Sequence, residues 1–351
     1  MAAKNKFLGI DQDVLFDHYG ASARGDGIFG LSCSRNDSKI VLLPVPFEAT
    51  VSYGAGTAKG PRAILAASTQ VDLFDRELGL FYKAGIAMLP ESSQVRRWNT
   101  EARRHARKVI AKGGADGSNR TDADAVNAIG AKLNAFVEKE TRKILKEGKI
   151  PGLIGGDHST PLGAIKACAD QHGSIGVLHI DAHSDTRDSF EDFTFSHGSI
   201  MRHVMKEVPG VKKLVQVGVR DFCREEMRFL EQSKGRIEVF FDEDTASEQL
   251  SGGKTWMQTC SEIVGKLPKK VYISFDIDGL DPALCPHTGT PVPGGLSFHQ
   301  ALLLLKTVAK SGRKIVGFDL VEVAPGPDEW DANVGARLLF KLCGWTLKSQ
   351  E

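Results

Sequence analysis

The strongest constraint on the fold of this chain is a set of three acidic runs, each placed directly after a short apolar segment. They read Gly-Gly-Asp-His-Ser at 155–159, Asp-Ala-His-Ser-Asp at 181–185 and Asp-Ile-Asp-Gly-Leu-Asp-Pro at 276–282. Burying a carboxylate without a partner costs several kcal/mol, and a divalent cation removes that cost. Because the runs lie far apart in sequence, they can share cations only if one sheet brings its strand ends to a common edge.

Short apolar segments bounded by Gly, Pro or polar residues recur along the chain and predict strands. Most are continuously apolar, which is typical of parallel strands covered by helices on both faces. Helix-compatible segments lie between many of them, so the sequence predicts an α/β fold with eight strands in a parallel sheet. The predicted strands are 40–45, 84–89, 150–154, 176–180, 214–217, 237–241, 270–275 and 315–320, and the clearest predicted helices are 125–147, 161–171, 255–266 and 298–311.

No linker rich in Pro, Gly or Ser divides the chain. Since the acidic runs must also meet, residues 1–351 are predicted to form a single domain. One segment differs in composition: residues 91–124 are polar, rich in Arg and Lys, and contain Gly-Gly-Ala-Asp-Gly-Ser at 113–118. That composition predicts a surface helix followed by a loop, and indicates a polar surface insertion.

The charge balance argues against polyanionic partners. Forty-five Lys and Arg face forty-four Asp and Glu, a formal net charge of +1, so nothing favours nucleic acid or an anionic membrane surface. No apolar run approaches the roughly 20 residues that cross a bilayer. Residues 1–20 carry Asp11, Asp13 and Asp17 rather than the apolar core of a signal peptide. Six scattered cysteines without a CxxC pair are typical of a reducing compartment. We therefore expect a cytoplasmic protein with neither nucleic acid nor a membrane as a partner.

The three runs offer two imidazoles and four carboxylates as metal ligands. Residues two apart on an extended chain point to the same side. The set is too large for one tetrahedral zinc ion and suits a pair of Mn²⁺-like ions, although Ni²⁺, Co²⁺ and Zn²⁺ use similar ligands. Two such ions activate a bridging water as a hydroxide nucleophile at neutral pH. The predicted ligands are His158, Asp181, His183, Asp185, Asp276 and Asp278.

Each run by itself also has a structural explanation, as a capped loop, a tight turn or an acidic turn. Their joint placement at strand ends favours a metal site. Neighbouring polar residues are expected to be structural: Asp157 would orient a ligand, and Asp281 would form a turn before Pro282. We expect His179 to pack in the core and His203 to lie on the surface of a helix.

Two further residues are candidates for catalysis. His197 lies in Phe-Ser-His-Gly-Ser at 195–199, twelve residues after Asp185. A histidine near an activated water is a candidate proton shuttle, with a solvated loop histidine as the alternative. Glu322 follows the last predicted strand, where a carboxylate could pair with a cationic substrate in bidentate fashion.

These residues resemble those of the ureohydrolases, the arginase and agmatinase group, and most closely its agmatinase-like members. The resemblance spans most of the chain, from Val-Leu-Leu-Pro-Val-Pro at 41–46 and Ser-Tyr-Gly-Ala-Gly-Thr at 52–57 to Val-Glu-Val at 321–323. It implies a three-layer α/β/α sandwich with a central eight-stranded parallel sheet, two Mn²⁺ ions, and a trimer or hexamer of identical chains. The reaction that it implies is hydrolysis of a guanidino group to urea and an amine.

The resemblance also implies a role for each site residue. One ion would be held by His158, Asp181, Asp185 and Asp276, and the other by His183, Asp181, Asp276 and Asp278, with Asp181 and Asp276 bridging. Asp185 would accept a hydrogen bond from the hydroxide. Glu322 would clamp the guanidinium, and His197 would donate a proton to the leaving amine.

The substrate is less well defined than the reaction. Arginases carry Ile-Asn or an equivalent just after the Asp-Ala-His-x-Asp run, whereas this chain has Thr-Arg-Asp at 186–188, which argues against arginine. Agmatine is the leading expectation. If Arg187 faced the pocket it would favour a tail with a carboxylate, as in 4-guanidinobutyrate or 3-guanidinopropionate. Pairing of Arg187 with Asp188, Glu191 or Asp192 would remove that preference.

Other functions fit the sequence less well. Unsubstituted guanidine remains an alternative substrate, and formimino-glutamate would use the same hydroxide. A two-metal phosphoesterase would need cationic or Gly-rich phosphate-binding elements, whereas Glu322 repels phosphate. A degenerate, non-catalytic metal-binding relative is expected to have lost a ligand, and all six predicted ligands are present.

Overall fold

The computed structural model describes residues 27–351, in which eight strands form a single sheet. All neighbouring strands are parallel, in the order β2-β1-β3-β8-β7-β4-β5-β6. The predicted strand number and direction are confirmed, with end shifts of up to three residues. The strands are β1 (Ile40–Val45), β2 (Ile86–Met88), β3 (Ile150–Gly155), β4 (Ile175–Ile180), β5 (Val211–Val219), β6 (Ile237–Phe241), β7 (Lys270–Asp276) and β8 (Lys314–Val321).

Helices cover both faces of the sheet and complete the predicted three-layer arrangement. The apolar side chains of β1 show why: Ile40 and Leu42 pack into one hydrophobic cluster, and Val41, Leu43 and Val45 into another on the opposite face. The first cluster includes buried residues of α1, α8, α9 and α10, and the second includes buried residues of α2 to α6. The helices are α1 (Gly60–Ser68), α2 (Ser93–Ile110), α3 (Arg120–Lys146), α4 (Leu162–His172), α5 (Ile200–Glu207), α6 (Arg224–Gln232), α7 (Asp242–Leu250), α8 (Trp256–Lys266), α9 (Phe298–Lys310) and α10 (Trp330–Lys348).

Within residues 27–351, no helix combines the length and the apolar character required to cross a membrane. One expectation about α5 is wrong. His203 is only 7% exposed, and its Nδ1 lies 2.7 Å from Oε1 of Glu207. The imidazole faces the ring of Phe195 on the buried side of α5, so the polarity of histidine was a poor guide to its burial.

Helix α2 accounts for most of the polar segment 91–124. It buries a narrow stripe formed by Val95, Ala102, Ala106 and Val109, while its Arg and Lys side chains occupy the remaining faces. A loop then leads to α3, as the composition predicts. That the segment is an insertion stays a prediction.

The register of the four central strands places the three acidic runs side by side. Ile154 of β3, Leu320 of β8, Phe275 of β7 and Ile180 of β4 form one row across the sheet. The chain leaves all four strands just beyond this row, at the carboxyl edge of the sheet. Ligand sites of open α/β sheets are found at such an edge.

Candidate metal centre

All six predicted metal ligands converge at this edge. Five of their side chains are nearly or fully buried, whereas the side chain of His183 is 22% exposed and opens the cluster toward solvent. Their nitrogen and oxygen atoms form two groups that share one carboxylate, as described below.

His158 is at the centre of the first group. Its Nδ1 lies 2.9 Å from Oδ2 of Asp181, 3.2 Å from Oδ2 of Asp185 and 3.1 Å from Oδ2 of Asp276. These atoms come from three different strand ends, so the arrangement depends on the sheet register and not on any one loop.

A hydrogen-bond chain fixes the tautomer of His158. Ser274 Oγ donates to Oδ1 of Asp319 at 3.0 Å, so it must accept from Nε2–H of His158, 2.9 Å away. The lone pair of Nδ1 then points at three carboxylates, and this buried nitrogen has no hydrogen-bond partner. The lone pair and the three negatively charged carboxylates repel one another. A cation bound between them would remove this repulsion, so the donor set fits a divalent metal ion.

His183 is at the centre of the second group. Its Nδ1 lies 3.1 Å from Oδ2 of Asp278 and 3.4 Å from Oδ1 of Asp181. Asp181 therefore directs Oδ2 at one imidazole and Oδ1 at the other, and Oδ1 also accepts from the amide of His183 at 2.6 Å. Asp276 directs Oδ2 at His158, while its Oδ1 accepts from the amide of Asp278 at 2.8 Å. Bridging of two ions by Asp181 and Asp276 stays a prediction.

The charges of the two groups are not balanced by the protein itself. Burial, followed by the charge of Asp181, raises the pKa of Asp185 to about 7. Burial and the neighbouring carboxylates Asp278 and Asp181 raise the pKa of Asp276 well above its usual range. Burial disfavours a charge on His158, but its carboxylate neighbours still raise its pKa well above the ordinary value. The site thus holds an excess of negative charge for which protons substitute in the absence of cations.

His179 packs in the core, as expected. The side chain is fully buried, and its Nε2 lies 2.8 Å from Oδ2 of Asp181. Gln216 of β5, which sequence reasoning missed, contacts its Nδ1 at 2.9 Å. The one available signal was a lone polar residue inside the otherwise apolar segment 214–217.

Glu322 stands at the end of β8 beside the first group. Its backbone has φ 63°, a left-handed conformation that is costly for a residue with a side chain and that clusters at functional sites; Asp185 shares it, with φ 53°. Oε1 accepts from the amide of His158 at 2.9 Å, whereas the buried Oε2 has no hydrogen-bond partner. Burial, with the charge of Asp157, raises the pKa of Glu322 well above its usual range. A bound cation would reverse that shift.

His197 lies beside the loop that follows β1. Its Nδ1 is 3.2 Å from Oγ1 of Thr50, a residue that no sequence signal singled out. Burial and the positive charges of His183, His158 and Arg187 lower the pKa of His197 to about 3. The imidazole is therefore neutral at neutral pH.

Arg187 lies next to His197, but its acidic partner is not one of the three expected. Its guanidinium stacks over Phe190 at 4.9 Å, and Phe190 packs edge-on against His197. Nε lies 3.6 Å from Oε2 of the buried Glu226. The expected partners are used elsewhere: Asp188 pairs with Arg202 and Lys206, Asp192 pairs with Arg120, and Glu191 lies near Arg103.

Two acidic neighbours are structural. Asp281 is exposed and accepts from the amide of Ala283 at 2.8 Å, which makes it the turn residue that the sequence predicts. Asp157 is fully buried, and its carboxylate accepts from the amide and the hydroxyl of both Ser159 and Thr50. It therefore orients the loop around His158 and not the imidazole itself.

Comparison with known proteins assigns the chain to a family. The model of the arginase family matches residues 38–344. The chain belongs to the arginase family.

The chain is 32% identical to the N(1)-aminopropylagmatine ureohydrolase of Thermus thermophilus over 308 residues, which cover 88% of this chain and 90% of that enzyme. It is 32% identical over 312 residues to the proclavaminate amidinohydrolase of Streptomyces clavuligerus, covering 86% and 87% of the two chains. The solved structure of that amidinohydrolase superposes with a TM-score of 0.71 and 25% identity, over 94% of this chain and 99% of that one. The guanidinobutyrase of Pseudomonas aeruginosa is 31% identical over 218 residues, 59% of this chain and 64% of that enzyme.

Membership of the family makes this protein a metal-dependent hydrolase that acts on C–N bonds. The resemblance inferred from the three acidic runs is confirmed, as is the arginase-like fold.

Proposed function

We propose that this arginase-family hydrolase converts agmatine to putrescine and urea with a pair of divalent ions, Mn²⁺ foremost, held by the six ligands described above. The observation that carries the proposal is the division of the two oxygens of Asp181 between His158 and His183. His158, Asp181, Asp185 and Asp276 would hold one ion, and His183, Asp181, Asp278 and Asp276 the other.

The bound ions would supply hydroxide at neutral pH by lowering the pKa of water. In the overall reaction, the oxygen of water would add to the guanidino carbon, the bond from this carbon to the substituted nitrogen would break, and the leaving nitrogen would take up a proton, giving urea and the amine. A guanidinium carbon is a poor electrophile, so the protein must also orient it and protonate the leaving group.

Glu322 is placed to hold the guanidinium. Its unpartnered Oε2 accepts one N–H directly, and Oε1 has a second lone pair beyond the bond from the His158 amide. The hydrogen bond from the His158 amide also fixes the carboxylate relative to the first metal group, so a guanidinium held by Glu322 would lie beside that group. The left-handed backbone of Glu322 is the strain expected at such a position.

Asp185 and His197 would act on the nucleophile and on the leaving amine. Asp185 would accept a hydrogen bond from the nucleophile and so keep it oriented toward the guanidino carbon. His197 lies next to the site as a neutral imidazole, and by the family resemblance it would pass a proton to the leaving amine.

For the substrate tail, the pairing of Arg187 with Glu226 favours agmatine, because Glu226 offsets part of the positive charge that would oppose the distal ammonium. The name of the Thermus relative, an aminopropylagmatine ureohydrolase, supports a guanidino amine. A guanidino acid is the second candidate, because the side chain of Arg187 is still 37% exposed and lies beside His197. The guanidinobutyrase relative is consistent with that alternative.

Two finer expectations follow from the family resemblance, Mn²⁺ as the native metal and a homotrimer or homohexamer, whereas a cytoplasmic location follows from the scattered cysteines. Metal analysis of protein purified without added metal tests the first. Light scattering coupled to size-exclusion chromatography tests the second.

Urea release from the Mn²⁺-loaded protein tests the proposal, with agmatine, 4-guanidinobutyrate, 3-guanidinopropionate, arginine and guanidine as substrates. We expect agmatine to turn over best, and His158→Ala to abolish turnover of every substrate. Asp281→Asn is the matched control, because it changes an exposed aspartate at the end of the 276–282 run and should retain activity. Turnover of 4-guanidinobutyrate with agmatine inert would establish the second candidate. No urea from any substrate with two ions bound would refute guanidino hydrolysis.

A further inference from the structure

Thr50, in the loop that follows β1, joins the loop around His158 to His197. The residue is 1% exposed. Its Oγ1 lies 3.3 Å from Oδ2 of Asp157, and it accepts from the amide of His197 at 3.3 Å. Nδ1 of the same histidine is 3.2 Å away. One hydroxyl therefore contacts a buried carboxylate and both the backbone and the ring of His197.

The number of hydrogens fixes the direction of these bonds. A hydroxyl has one hydrogen to donate and two lone pairs that accept. The carboxylate of Asp157 accepts only, and its Oδ2 also faces the amide of Thr50 at 3.4 Å. The hydroxyl of Thr50 thus donates to Asp157 and accepts twice from His197, from its amide and from Nδ1–H. All three capacities of the hydroxyl are used.

This pattern assigns the tautomer of His197. With the hydrogen on Nδ1, the lone pair of the neutral ring is on Nε2, the nitrogen that remains available for proton transfer. If the ring rotated, or if the hydrogen moved from Nδ1 to Nε2, the hydroxyl of Thr50 would lose the ring N–H from which it accepts. A proton shuttle works only if its free nitrogen faces the proton.

Two side chains of the polar helix α2 form hydrogen bonds to the backbone of the loop that carries Thr50. Arg103 donates through Nη1 to the carbonyl of Ala49 at 3.3 Å and to that of Val51, the two neighbours of Thr50. Asn99 accepts from the amide of Glu48 at 2.8 Å. Hydrogen bonds from α2 thus hold the backbone on either side of Thr50.

We propose that Thr50 is a positioning residue that holds His197 in the Nδ1–H tautomer, with Nε2 directed at the reaction. The inference rests on the proposed function, in which His197 transfers the proton to the leaving amine.

Thr50→Val tests the proposal, because valine keeps the shape and removes the hydroxyl. A positioned acid–base group contributes about 10²–10⁴-fold to rate, and we expect Thr50→Val to lose part of this, a fall in kcat of roughly 10- to 100-fold. KM for the best substrate and the bound metal content should stay at the wild-type values. Thr50→Ser restores the hydroxyl and should return kcat to within about threefold of wild type. An unchanged kcat in Thr50→Val, a lost metal ion, or equally low activity in Thr50→Ser would overturn the proposal.

A double-mutant cycle separates positioning of His197 from a general effect on the loop. In a His197→Asn background, Thr50→Val should lower kcat by less than about twofold, because its effect acts through the missing imidazole. Full additivity of the two losses would show that Thr50 acts elsewhere.

The tautomer can be measured without any activity. Nitrogen chemical shifts of ¹⁵N-histidine-labelled protein, with His197 assigned by comparison with His197→Asn, should show a protonated Nδ1 and an unprotonated Nε2. Thr50→Val should mix the two tautomers. An Nε2–H tautomer in the wild type would refute the inference even if urea is released, whereas the expected tautomer in a protein that releases no urea would refute only the proposed function.

Discussion

Gln216 donates a hydrogen bond of 2.9 Å to Nδ1 of His179. Ser184 fixes the direction of this bond, because its carbonyl accepts from the same amide nitrogen at 2.7 Å and its hydroxyl donates to Oε1 of Gln216 at 3.3 Å. Nδ1 of His179 is therefore an acceptor, and Nε2 carries the hydrogen that binds Oδ2 of Asp181 at 2.8 Å. Both ring nitrogens of His179 are thus engaged in hydrogen bonds to protein groups. His179 therefore orients Asp181 and is not itself a metal ligand.

Removal of His179 should weaken metal binding. Hydrogen-bond partners of metal ligands typically contribute 10- to 100-fold in affinity, so we expect His179→Leu to raise the Kd for Mn²⁺ by roughly that factor. His179→Gln, which keeps a donor near Asp181, should have a smaller effect. Calorimetric titration of the metal-free proteins provides the measurement. Wild-type affinity for both ions in His179→Leu would contradict this role of His179.

The 276–282 run contains a built-in comparison of three aspartates. Asp276 and Asp278 direct Oδ2 at His158 and His183, whereas Asp281 only caps a turn. We expect Asp276→Asn and Asp278→Asn each to lower the bound metal below two ions per chain and to reduce kcat by more than about 100-fold, because an amide lacks the charge that offsets the cations. Asp281→Asn should bind two ions. Metal analysis after gel filtration distinguishes the three variants, and equal loss in all of them would mean that the run acts through folding alone.

The sequence predicts the strands and the metal ligands well, but it does not predict the side-chain contacts between distant residues, and the difference has a physical reason. Continuous apolar runs fix strands such as β4, and an aspartate that directly follows one must emerge at the carboxyl edge, so the six ligands were accessible from spacing. The partner of Arg187 was not, because Glu226 lies 39 positions away on α6 and only the fold brings the two together. The role of Thr50 could not be predicted for the same reason, because its partner His197 is 147 residues away in sequence.

Metal binding should stabilise this protein more at higher pH. Burial raises the pKa of Asp185 to about 7, while an exposed aspartate in the unfolded chain has a pKa of about 4. The protonated carboxyl thus stabilises the metal-free fold fully below about pH 4, and this contribution is lost as the pH rises through about 7. Metal ions require the ionised form, so their binding competes with these protons.

The increase in Tm on adding Mn²⁺ to chelator-treated protein should therefore grow between about pH 5.5 and 8 and level off above that range. Scanning calorimetry with and without excess Mn²⁺ measures it, and the Asp276→Asn variant serves as the control with a disabled site. The same increase in Tm at both ends of the range would show that the ligands carry no such protons.

Arg187 should affect substrates according to the charge of their tails. Its guanidinium lies beside His197 and is only partly neutralised by Glu226, so removing its charge should favour a cationic tail and disfavour an anionic one. Exposed pairs are worth about 1 kcal/mol or less, so we expect Arg187→Gln to raise kcat/KM for agmatine by up to about fivefold and to lower it for 4-guanidinobutyrate by a similar factor. Arg337→Gln, which removes an exposed arginine hydrogen-bonded to Asn333 and Gln70, is the charge-matched control and should change neither. Parallel changes for both substrates would indicate that Arg187 supports the loop through Phe190 and does not read the tail.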